Sequence, residues 1–204
     1  MTLQAIAHYH QASIHCQSFG RDEYIAALPE ITVILENAQE LANNALSSFM
    51  AFVNGENKTV WWCPVFNPIM TIYRKSSSAY YQSLIDLRCS KSPEADFPLI
   101  QSTLQQEVLQ KFQTKNSELM KLINPDRNDF QFSKKQILVA AVCNGVKLLS
   151  PYTSRLNESL LRLVQSQFQD DMIHTNFPLG DVCSYFYLVG RMALGNRKFS
   201  FYSA

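Results

Sequence analysis

Glycine is scarce in this chain, six residues in 204, and the scarcity excludes whole classes of site. No GxGxxG or GxxxxGK run occurs, so there is no loop of the kind that cradles phosphates, and there is no GxSxG elbow. Charge of one sign is missing too. Eighteen basic and 17 acidic residues leave a net charge of +1, which argues against a surface built to neutralise a nucleic-acid backbone. No apolar run reaches the roughly 20 residues of a membrane span. The N-terminus, MTLQAIAHYHQ, has neither a charged n-region nor a long apolar h-region, so the expectation is a cytoplasmic protein without a secretory signal. On that basis the sequons Asn57-Lys58-Thr59 and Asn157-Glu158-Ser159 read as accidental.

The five cysteines are odd in number and none stands at CxxC spacing, so Cys16, Cys63, Cys89, Cys143 and Cys183 read as reduced, small apolar residues. Histidine is equally sparse. His8 and His15 would share a helical face, with His10 and Cys16 near by, but no second half-site exists beyond the isolated His174, and neither metal nor cofactor is expected. Cys183 and His174 could in principle form a nucleophile pair, yet no oxyanion-hole glycines accompany them, and Cys183 is expected at the border of a buried helix face. The Asp170-Asp171 pair reads as solvated loop charge.

What the chain has is helical periodicity, over a hydrophobic content of 47% that can build a core. Lys134–Leu149 is apolar nearly all round, the mark of a helix in the middle of a bundle, and Ser150-Pro151 ends it. A second helix over 153–168 stripes Leu156, Leu160, Leu163, Val164 and Phe168 on one side. A polar loop, Gln169–Gly180, leads to a third helix, Asp181–Leu194. That helix is expected to bury Val182, Tyr185, Phe186, Val189, Met192 and Ala193 and to expose Ser184, Tyr187 and Arg191 at i, i+3, i+7. Function is expected where this exposed strip meets the start of the first of the three helices.

Upstream, residues 1–19 are a short leader, a polar helix or a frayed end. Residues 21–53 form a strong helix with Pro29 near its start and Asn54-Gly55 at its end. Lys58–Pro68 reads as the non-helical apolar stretch, at most a short strand pair, with Trp61 and Trp62 capping one end of the core. Ile69–Leu87 is the next helix, with a break expected at Ser76–Ser78, and Ser90–Pro93 is a loop. Helices then follow over Phe97–Phe112 and Ser117–Ile123, before the turn signal Asn124-Pro125-Asp126. The fold class is all-α, a helical bundle of six to eight helices, with residues 1–90 as an N-terminal helical part and 91–204 as a helical core in one compact unit.

The order of the junctions in the C-terminal half resembles the catalytic domain of the vacuolar-protein-sorting-nine family, exchange factors for endosomal Rab GTPases. Lys91-Ser92-Pro93 precedes an amphipathic helix, Ser150-Pro151 closes the buried helix, and Leu179-Gly180-Asp181 opens the last one, similar to the family's Gly-Glu entry. The resemblance covers Lys91–Leu194, and the preceding helices would play the family's N-terminal bundle. Where the family carries its catalytic Asp, this chain has Lys135-Gln136, with Asp126 and Asp129 the nearest acids upstream. Aligning Gly180-Asp181 sets Ser184 at the family's Tyr position and Tyr187 at its Thr position. A second register matches Thr175-Asn176 instead and leaves Met172 at the Tyr position.

The resemblance implies an exchange factor that acts without covalent chemistry on early-endosomal Rab-type small GTPases. Such a GTPase holds its nucleotide through P-loop amides, the P-loop Lys and Mg²⁺. A carboxylate pushed into that site competes for the cation, while aromatic and apolar contacts hold the switch segments open. The residues it would assign are Asp129 or Asp181 for the carboxylate, Gln136 at the family's acidic position, and Ser184, Tyr187 and Arg191 for contact with the GTPase. The departures from the family's pattern point to a divergent member, a bacterial effector secreted to act in a host's cytosol. The alternative reading is an all-helical adaptor for protein–protein interaction with no catalytic effect.

Overall fold

In the computed structural model of the chain, which describes residues 2–18, 20–55, 62–91, 97–127, 129–149 and 155–195, the helix read as central is central. Among the described residues there are eight α-helices: α1 Thr2–Ser18, α2 Arg21–Gly55, α3 Trp62–Lys91, α4 Phe97–Ile123, α5 Leu138–Leu149, α6 Arg155–Gln167, α7 Asp170–Asn176 and α8 Leu179–Gly195. Two short 3₁₀ turns, Phe130–Phe132 and Lys134–Ile137, lead into α5. No strand occurs among the described residues. The fold is an all-α helical bundle.

α5 packs against α3, α4, α6 and α8. Every residue from Ile137 to Val146 is buried, and of the described side chains on α5 only that of Lys147 is exposed. A helix without a polar side cannot lie on a surface, so four neighbours close round it. The long helices α2 and α3 pack along one another, and α1 lies against both. One hydrophobic cluster runs from Ala5 on α1 through Phe49 and Phe66 to Tyr185 and Leu188 on α8, and a smaller one joins Ala12, Ile31 and Leu35.

Several expectations are corrected. α3 starts at Trp62, so the part of the supposed extended stretch that is described, 62–68, is helix. Pro64 falls in its first turn, where no intrahelical bond is lost, and Phe66 is fully buried. Residues 58–61 and 150–154 lie outside the described residues, as do the side chain of Trp62 and the Ser-Pro segment at 92–93. The serine run does not break α3: Ser76 donates its hydroxyl to the Ile72 carbonyl at 2.7 Å, satisfying itself on its own helix inside the core. The helix also runs on through Ser90. α4 continues unbroken through the gap expected at 113–116, where Thr114 donates back to the Gln110 carbonyl and Lys115 pairs with Glu118 and reaches Ser47 on α2. Pro29 and Pro68 sit within α2 and α3, well past their first turns, and both are exposed, so water can reach the carbonyls they release.

Between α4 and α5 the chain turns at Asn124-Pro125, as the sequence signals, and the Asp126 carboxylate accepts the Lys134 N–H at 2.7 Å. Phe130, Phe168 and Phe177 then form a triangle with ring centroids 5.1–5.8 Å apart and edges on faces. The triangle ties the approach to α5, the end of α6 and the link between α7 and α8 together. Deeper in, Arg74 on α3 donates its Nε to the Asn144 side chain at 2.9 Å, and Asn144 donates in turn to the Ala140 carbonyl.

Ala141, at 0% exposure, tests the placement of α5. Ala141→Gly should cost about 1 kcal/mol and still melt cooperatively. Ala141→Asp should not fold, because an unpaired charge there costs several kcal/mol. A soluble Ala141→Asp variant with a cooperative thermal transition contradicts the placement.

Candidate functional site

The last helix starts two residues earlier than periodicity suggested, because the Pro178 carbonyl accepts the N–H groups of both Asp181 and Val182. The expected polar loop before it is largely helix. α7 carries Asp171 and Thr175, whose hydroxyl donates to the Asp171 carbonyl, so short polar residues that read as loop satisfy themselves within a helical turn. This places Thr175-Asn176, the alternative register, at the end of α7, with Met172 on an exposed face.

Asp181 lies in the first turn of α8 and is half-buried. Its Oδ2 accepts the Asn67 side-chain N–H at 3.1 Å, and Cys143 on α5 lies 3.9 Å from its backbone carbonyl. Burial raises its carboxyl pKa, against the opposing pull of the Asn67 hydrogen bond and the nearby Lys147. Gln136 is also half-buried and engaged twice. Its side chain donates to the Phe130 carbonyl at 2.9 Å, and its own carbonyl accepts the Cys63 thiol at 3.0 Å. Cys63 and Asn67 stand one turn apart on α3, so the first turns of that helix link Gln136 and Asp181 from one side. Asp129 differs from both. It precedes the first 3₁₀ turn, is exposed, and makes no capping bond with its side chain.

Ser184 accepts the Lys147 ammonium at 3.2 Å. The strip therefore meets the last turn of α5 and not its start, as the sequence had suggested. Tyr187 is 64% exposed and Arg191 is exposed, while Val182, Tyr185 and Leu188 make the buried stripe. Three more residues complete the outer face: Leu179 at 76% exposure and Leu194 at 64%, for which no surface role was expected from the sequence, and Cys183, which is exposed and does not border the buried stripe as expected. The signal that could have found them is the spacing 179, 183, 187, 191, 194, which tracks one side of a helix. No hydrogen bond joins Cys183 to His174 among the described residues. The His174 ring instead stacks on Phe186 at 4.7 Å, nearly parallel.

On α1, His8 is half-buried and His10 exposed, and the side chains of His15 and Cys16 lie outside the described residues. Among the described residues no group of three His, Cys, Asp or Glu side chains is placed to hold a metal, and no helix is long and apolar enough to cross a membrane.

The cysteines make a measurable prediction. Burial, with the Asp181 charge second, pushes the Cys63 thiol from 9.0 up to about 11, and burial pushes Cys143 up to about 12. The Tyr80 phenol rises from 10.0 to about 12 through burial and its bond to Glu36. These groups are neutral when protonated, so the folded chain keeps protons that the unfolded chain has released above pH 9. Their stabilisation is complete below pH 9 and disappears as the pH climbs toward 11–12. The Tm should drop by several degrees over that window, at about 2–4 °C per kcal/mol for a chain of this size. Cys63→Ser should flatten the lower part of the fall. A Tm that stays level from pH 8 to 11 contradicts the burial of these groups.

Matches to known proteins add nothing to this geometry: no family model, no curated protein and no solved structure matches the chain.

Proposed function

We propose that the chain docks a small GTPase of the early-endosomal Rab type on the outer face of α8 and promotes release of its guanine nucleotide. The observation that carries the reading is Tyr187, an exposed aromatic between exposed Leu179 and Leu194 on the face that also presents Arg191. Large apolar side chains and an arginine on one solvent-facing strip have the composition of an interface core, where tyrosine and arginine dominate binding energy. The Rab identity rests on the resemblance of the helix junctions. A bacterial effector acting on a host's endosomal GTPases is the setting this reading fits.

Asp129 is the better candidate of the two carboxylates. It is exposed and its side chain is not spent on a cap, and the adjoining Phe130 ring packs on Phe177, two residues before α8. Asp181 is held by Asn67, and moving it out would leave that amide without its acceptor. In the mechanism, the α8 face binds the nucleotide-free GTPase more tightly than the loaded one. By linkage that lowers the GTPase's affinity for nucleotide by the same factor. Asp129 would compete for the Mg²⁺ and the P-loop Lys, and Ser184, positioned by Lys147, would contact a switch segment.

A second reading, an adaptor that binds without releasing nucleotide, is favoured by one specific observation. Gln136 stands where the family has its acid, and both its side chain and its carbonyl are already committed to the fold.

Release of a fluorescent guanine nucleotide from a panel of Rabs tests both readings. The wild-type chain should accelerate release from at least one of them at micromolar concentration. Tyr187→Ala should keep the fold and cost about 2 kcal/mol, roughly thirtyfold in rate or affinity. Asp129→Ala should lower the rate while leaving binding to the nucleotide-free GTPase within a few-fold. Asp181→Ala should act mainly on the Tm. Binding without release in the wild type supports the adaptor, and neither binding nor release from any Rab ends the GTPase reading altogether.

A further inference from the structure

Away from α8, the last turn of α4 and the turn that follows it enclose an open cleft of about 440 Å³. Lys121, Arg127 and Lys134 line it, with Asp126 the one acidic residue among the lining side chains. The local balance is therefore +2, three cations less one carboxylate, in a chain whose total is +1. The carboxylate is committed, since its Oδ2 accepts the Lys134 backbone N–H. Lys121 stands in the last turn of α4, where the negative end of the helix dipole partly offsets its charge. Arg127 and Lys134 lie beyond that helix end, and no described salt bridge includes any of the three cations.

Three cations lining one cleft favour an anionic occupant, and the chemistry here specifies what kind. Arginine offers a planar fork that fits two oxygens of a phosphate, and lysines add point charges from other directions. Leu122 and Pro125 give the cleft an apolar wall. Its volume falls within the range of small-molecule sites and leaves room for more than a bare ion. We propose that this cleft binds the phosphate group of a phosphomonoester, with Arg127 gripping two oxygens, Lys134 and Lys121 completing the charge, and Leu122 and Pro125 packing on the organic part. The site is independent of the α8 face and stands whether or not that face binds a GTPase.

Calorimetric titration of the full chain with phenyl phosphate and with inorganic phosphate, at constant ionic strength set by chloride, tests it. The expected result is binding of phenyl phosphate at sub-millimolar concentration, weaker binding of inorganic phosphate, and a rise of several degrees in Tm at saturation. Affinity should fall as chloride is raised. Arg127→Gln and Lys134→Gln should each weaken binding at least tenfold. Arg127→Lys, which keeps the charge and loses the fork, should fall between them and the wild type. None of these side chains makes a described hydrogen bond, so ligand-free melting should stay unchanged and serves as the folding control. Co-sedimentation with phosphatidylcholine vesicles, with and without a phosphatidylinositol monophosphate, identifies the source. Sedimentation that depends on the phosphoinositide and on Arg127 and Lys134 assigns the phosphate to a lipid headgroup, and soluble binding alone assigns it to a free ester. Absence of binding by the wild type at millimolar phenyl phosphate overturns the proposal. So does equal binding by the Arg127→Gln, Lys134→Gln double variant, which would mark an adventitious ion only.

Discussion

The burial of α5 is the constraint on which the other elements depend. A helix apolar on every side has no orientation in which it can meet water, so it must be wrapped before the chain can be stable. Twelve residues of such a helix demand partners on all sides, and they come from both halves of the chain: α3 before it, α4 leading to it, α6 and α8 after it. The short 3₁₀ turns and the phenylalanine triangle follow from this need. They bring the chain from the end of α4 back into the centre, and they hold the link into α8 against the same core.

That arrangement separates residues that build the site from residues that present it. Asp181, Gln136, Cys63 and Asn67 are inward, half-buried and bonded to one another's helices. Leu179, Tyr187, Arg191 and Leu194 are outward on α8. Ser184 sits at the boundary, touched by Lys147. A carboxylate in the first group acts on the fold through its hydrogen bonds, while Asp129 is exposed and makes no capping bond with its side chain.

Periodicity made the helices legible where apolar spacing was unambiguous, as in α2, α5, α6 and α8. It failed where a residue's average preference was overruled by its place. Trp62–Pro68 looked extended because aromatics and prolines are common there, yet a proline in the first turn of a helix loses nothing. Ser76–Ser78 looked like a breaker, yet a buried serine can return its hydroxyl to its own helix. Asp170–Asn176 looked like a loop because short polar side chains favour turns in isolation, and only Ile173, fully buried, shows what anchors that segment. At the site, the exposure of Tyr187 and Arg191 was readable from spacing. The engagement of Asp181 by Asn67 was not, because the two are joined across 114 positions of chain and no local pattern carries such a pairing.

The bond between Arg74 and Asn144 has a consequence for uniqueness. An evenly greasy cylinder surrounded by greasy neighbours has many settings of nearly equal energy: it can turn about its axis or slip by a residue and still bury the same area. One amide in the middle of α5, tied to its own backbone on one side and to a guanidinium of α3 on the other, makes those settings unequal. Any rotation would part the amide from the guanidinium and leave a polar group in the core without a partner, a loss that dispersion contacts elsewhere do not restore. The asparagine thus acts as a key in a keyway. It adds little to how strongly the bundle holds together and much to which of its possible rotamers of assembly is the one that forms.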